Sequence, residues 1–95
     1  MPEPLHDEAL VNLYLERVSA LSVSAFDGAD VSKELDATIG EAVTRCRADG
    51  DARSSGTLAV LAKRLRERAD AADREGQPLV RDTFARAASL AGTPA

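Results

Sequence analysis

One cysteine, one histidine and three aromatic side chains are all this chain holds of the groups from which most sites are built. With Cys46 alone, no disulfide can close within the chain. One cysteine and one histidine, His6, also leave the usual tetrahedral zinc sets unfilled. Glu-x-x-His, the helical signature of a carboxylate-bridged di-iron centre, does not occur. Phosphate-cradling glycine loops are missing as well. "DGADVSKELD", residues 27–36, has acids but not at the calcium-loop spacing. His6 lies in the N-terminal stretch and reads as a solvated or helix-start residue. With neither a nucleophile–base pair nor a metal cluster in view, the chain reads as a non-enzyme with no cofactor and no metal.

Long apolar runs are absent too. The uncharged run Val18–Phe26 is nine residues, against about 20 for a bilayer span. "MPEPLHDEAL" is acidic and lacks the basic-then-apolar layout of a signal peptide. Together with the lone thiol, these features predict a protein of the cytoplasm, or of the interior of an assembled particle, that is not secreted and has no membrane partner.

What is plentiful is alanine. Eighteen alanines stand against 22 residues drawn from Leu, Ile, Val, Phe and Tyr, with no Trp. Ninety-five residues make one domain, 1–95, and a chain this short buries only a modest share of its surface. Alanine-rich helices can approach closely, which suits a thin bundle or a subunit whose core a partner completes. Charge is divided unevenly. Residues 1–44 carry nine acids and two bases, a sum of −7, while residues 45–95 carry seven acids and ten bases, a sum of +3. The overall −4 counts against a general nucleic-acid binder. The asymmetry suits one half docking on the other, or copies meeting head to tail.

Apolar spacing predicts an all-α, small up-and-down bundle of three to four helices, near 7–25, 30–48, 56–75 and 78–91. In the first, Leu10, Leu13, Tyr14, Val18 and Leu21 form one stripe, flanked by Val11, Leu15 and Phe26. So wide a face does not fit easily into one small core. Leu10, Val11, Leu13, Tyr14, Leu15, Leu21 and Phe26 are therefore the candidate oligomer or partner surface, with full internal burial as the other outcome. Its tail "LSVSAF" alternates like a strand, but continuity of the stripe favours helix. Asp27 or Asp30 can cap the second helix, whose seam is Val31, Leu35, Ile39, Ala42, Val43 and Cys46. There Cys46 reads as a buried, inert thiol. "ADGDARSSG" reads as the next loop, with Ser54, Ser55 or Thr57 as the following cap. Gly76 and Pro78 mark the third helix's stop.

On the third helix, Leu58, Leu61, Ala62, Leu65, Ala69 and Ala72 share one side, and the charges occupy the rest. Lys63–Glu67, Arg66–Asp70 and Asp70–Arg74 are spaced to pair along the helix. Arg64 and Arg68 share an edge with no acid between them. With Arg53 and Lys63 they are the candidate contacts for an anionic partner.

The segment "DGDARSSGTLAVLAKRLRERADAAD", residues 49–73, resembles the small terminase subunits of actinobacterial phages, in which a serine-rich joint precedes a leucine-striped, charge-mixed helix. The likeness covers about a quarter of the chain. It implies a ring-forming, non-enzymatic adaptor that recognises viral DNA and contacts a larger ATP-driven subunit. One feature departs from that family: its DNA-recognition helices commonly lie near the N-terminus, and this N-terminal half is acidic. The leading expectation is a non-catalytic interaction or assembly module, self-associating through an Ala/Leu-rich seam. A phage DNA-packaging or other nucleic-acid-associated adaptor is the alternative.

Overall fold

The computed structural model describes residues 6–49 and 52–92, the side chains of 47–49 and 52–55 excepted. Four helices follow one another: α1 (Glu8–Phe26), α2 (Ser32–Asp49), α3 (Ala52–Arg74) and α4 (Pro78–Gly92). No strand occurs among the described residues, so the tail of α1 is helical despite its alternation. Side-chain links fix the directions. Arg64 of α3 bonds Glu8 near the start of α1, while Arg68 lines a groove with Ser19 further along, so α1 and α3 run parallel. Tyr14 of α1 reaches Glu41 of α2, and Arg86 of α4 reaches Asp36 near the start of α2. The result is an all-α, up-and-down four-helix bundle.

Local chemistry sets the helix ends. Asp7 has an extended backbone, and its Oδ1 accepts from the Leu10 amide at 3.3 Å, so it caps α1. Asp30 Oδ1 accepts from the Ser32 amide at 3.0 Å and serves α2. Both sharp stops use a left-handed glycine. After α1, Gly28 (φ +99°) donates to Ala25 O and Ala29 donates to Ser24 O. After α3, Gly76 (φ +72°) donates to Asp73 O and Gln77 to Ala72 O. A side chain at either glycine would strain that backbone. Pro78 then opens α4, where a missing N–H costs nothing.

Helix α3 begins earlier than its serines suggest. Ser54, Ser55 and Thr57 lie inside it, not at its cap, and most of the expected loop 48–56 is helical. Tertiary burial overrides the weak propensities here: Gly56 and Thr57 are buried. The Thr57 hydroxyl accepts from the Asp7 amide at 2.9 Å and ties the first turn of α1 to α3.

The core gathers Val11, Tyr14 and Val18 from α1, Leu35 and Ile39 from α2, Leu61 and Leu65 from α3, and Phe84 from α4. Alanines fill between them, and α3 with α4 form the most extensive pair. Ala62 and Ala69 of α3 share this core with Ala87, Ala88 and Ala91 of α4, side chains small enough to permit close helix packing. Buried hydroxyls turn inward on their own helices. Ser22 Oγ donates to Ser19 O at 2.7 Å, and Thr83 Oγ1 to Leu79 O at 2.9 Å. Among the described residues no buried side-chain polar atom lacks a partner.

Candidate interaction surfaces

The α1 stripe divides. Val11, Tyr14 and Leu15 are buried in the core of the single chain, and Leu10, Leu13 and Leu21 are half-buried against it. Only Phe26 stays outside, 60% exposed. Of the seven candidate residues, Val11, Tyr14 and Leu15 therefore follow the internal outcome, Leu10, Leu13 and Leu21 are partly covered, and Phe26 alone is exposed. The other three helices wrap more of α1 than a two-sided bundle would, so its wide apolar face is covered from several directions at once.

What remains outside is concentrated at one end. Val23 (63% exposed) stands one turn from Phe26 at the end of α1, and Leu79 (51%) occupies the first turn of α4. Between these helices and the start of α2 opens a groove of about 250 Å³, floored by Ala25, Val31, Leu35 and Leu79. Asp30, Asp82 and Arg86 stand in its wall. Arg86 is held by Asp36 at 3.2 Å, and Arg81 by Asp73 at 3.0 Å and by Asp82. These cations are thus already engaged by carboxylates of their own chain. The amide donation of Ser32 to Asp30 lowers that carboxyl's pKa.

The cationic edge of α3 is rearranged from its sequence pattern. Arg64 is not open to a partner: both its terminal nitrogens bond Glu8, Nη2 at 3.0 Å. Arg64 first, and His6 second, pull the Glu8 carboxyl down to about 2. Arg53 has its backbone in α3, but its side chain lies outside the described residues. Lys63 and Arg68 line a groove with Leu15 and Glu67, of about 400 Å³, between α1 and α3. Arg68 continues into a second stretch of that furrow beside Asn12, Glu16 and Ser19. The expected pairs Lys63–Glu67, Arg66–Asp70 and Asp70–Arg74 are not formed among the described residues. Holding two long exposed side chains together costs about what the pairing returns. Arg66 instead lies along the end of α4, with Nη1 3.6 Å from where a Cβ on Gly92 would sit.

A third polar cluster bolts α1 to α2. Tyr14 Oη donates to Glu41 Oε2 at 2.9 Å, and Arg17 donates to the same oxygen while its guanidinium lies 5.4 Å from the Tyr14 ring centre. Burial, then the bond to Glu41, push the phenol's pKa up. The same phenol and Arg17 pull the Glu41 carboxyl down. A satisfied hydrogen-bonded bridge of this kind explains Tyr14 without any reactive role. Among the described residues no three His, Cys, Asp or Glu side chains gather as a metal site, and no helix is long and apolar enough to cross a membrane.

Sequence reasoning singled out neither Val23 nor Leu79 as exposed surface. Val23 falls off the buried stripe on a helical wheel, a signal that was available. Leu79 is in phase with the buried face of α4 but sits in its first turn, beyond the end of the core. Compared with known proteins, this chain matches no family model, no curated protein and no solved structure.

Proposed function

We propose that this four-helix bundle is a non-catalytic interaction or assembly module that engages its partner through the end formed by α1, α2 and α4. The observation that supports this is the exposure of Val23, Phe26 and Leu79 together at one end of a domain with little apolar volume to spare. Self-association remains one form of the reading, but through this end and not through the internal α1 stripe. A photo-crosslinking amino acid placed at position 26 or 79 in the native host tests it, with exposed Thr44 of α2 as the control position. A discrete adduct from 26 and 79, and none from 44, is the expected result. Adducts from none of the three, or equally from all, overturn it.

A second reading, a nucleic-acid-associated or DNA-packaging adaptor like the small terminases, draws on a different observation. Lys63, Arg66, Arg68 and Arg74 have no ion-pair partner among the described residues. Free cations are what counterion release requires, although Glu67 and Asp70 lie among them. Arg64 leaves this set because Glu8 holds it. Retention on duplex DNA at low salt, lost in a Lys63→Ala/Arg68→Ala variant, is the outcome this reading expects. No retention at low salt ends it.

A further inference from the structure

We propose that the exposed end of the bundle receives a basic amphipathic helix: the partner's apolar ridge covers Val23, Phe26 and Leu79, and its cations face the carboxylates around them. The proposal rests on the interaction-module reading above and deepens it by naming the partner's chemistry. A floor of Ala25, Val31, Leu35 and Leu79 in a groove of about 250 Å³ has room for one leucine- or methionine-sized anchor. Phe26 and Val23 lie outside the groove's lining but at the same end of α1 as Ala25, where they add exposed apolar surface.

Charge selects the occupant. Residues 27–36, the turn and first helical turn beside the groove, carry Asp27, Asp30, Glu34 and Asp36 against Lys33 alone. Asp36 already holds Arg86, and Asp73 and Asp82 hold Arg81, so the α4 cations do not offset the rest. Asp27 and Glu34 have no ion-pair partner among the described residues. A second copy docked by two-fold symmetry would set this acidic rim against itself, an arrangement that like charges penalise. An anion is disfavoured for the same reason, and because Asp30 already occupies the Ser32 amide at the start of α2. A helix with leucines on one face and lysines beside them meets both the apolar floor and the rim.

The probe is a fluorescein-labelled Leu/Lys peptide of about 15 residues, the length at which such helices begin to hold in water, with its leucines on one face. Two controls carry the same composition in scrambled order, and glutamate in place of lysine. Fluorescence anisotropy against the full chain should show binding that weakens as salt rises, with neither control binding comparably. Val23→Ser/Phe26→Ser should weaken it by about tenfold or more. Asp27→Asn/Glu34→Gln should weaken it by about threefold and flatten the salt dependence. All four side chains are exposed, and unchanged thermal melts of both variants verify the fold. Equal binding of the scrambled or acidic peptide overturns the proposal, as does a dimer in sedimentation equilibrium that Val23→Ser/Phe26→Ser dissolves. If no peptide binds while crosslinking from position 26 persists, the partner chemistry is wrong and the module reading stands. If crosslinking fails as well, both fall together.

Discussion

Glu8 and Arg64, 56 residues apart in the chain, face each other across the α1–α3 contact with two parallel hydrogen bonds. His6 Nε2 lies 2.6 Å from Glu8 Oε1, the oxygen that also accepts from Arg64 Nη2. The arrangement places a carboxylate at the positive end of α1 and pins it to the neighbouring helix.

This pair makes stability depend on acidity in a defined window. The Glu8 carboxyl ionises at about 2, down from its ordinary 4.5. A depressed carboxyl contributes stability that is complete above the unfolded value and disappears as pH falls through the folded one. Glu8→Gln should therefore unfold at lower urea than the parent at pH 7. The gap should close between about pH 4.5 and pH 2. Parallel urea titrations followed by circular dichroism measure it.

Gly40 sits in mid-α2, exposed, with nothing within 4 Å of where a Cβ would be and no left-handed φ. Nothing in the fold requires glycine there. Gly40→Ala should stabilise by up to about 1 kcal/mol, a rise of about 4–8 °C in melting temperature for a domain of this size. A melt no higher than the parent's would contradict this.

Leu61 and Leu65 are completely buried where α3 meets the other helices. Either one changed to Ala should cost about 2–5 kcal/mol, a large share of the total stability of a small domain. Val23→Ser, on the exposed side of α1, should change it by less than about 0.5 kcal/mol. Urea denaturation midpoints of the three variants decide the contrast.

Cys46 is buried at 3% exposure on the inner side of α2. An aromatic disulfide reagent should leave it unmodified in the native protein and titrate one thiol per chain in denaturant. Rapid native modification would show that α2 opens locally in this region.

Much of the bundle was legible because periodicity is a local signal. The Gly76–Pro78 stop, the α3 seam from Leu61 to Ala72 and the α2 seam from Leu35 to Cys46 all fall where spacing puts them. The start of α3 was not, because Gly56 and Thr57 are held in helix by burial against other elements. Arg64 was the sharpest misreading. Its edge of α3 has no acid, yet the fold delivers Glu8 from the far end of the chain. The exposed apolar end was half visible. Phe26 stood among the candidates, but its company with Leu79 depends on α1 and α4 converging, which no window of sequence contains.

The three-residue turn at Glu75–Gln77 joins the most extensively packed pair of helices, while α1 is anchored through Thr57 and Arg64, 50 and 56 residues further along than their partners Asp7 and Glu8. On a ribosome, the acidic N-terminal half therefore emerges before its anchor points have been made. The α3–α4 hairpin can close from local contacts as soon as it is free, and then serves as the template on which the earlier helices settle. Contact locality therefore favours folding against the order of synthesis, with the leucines of α1 expected to be open to chaperones in that interval.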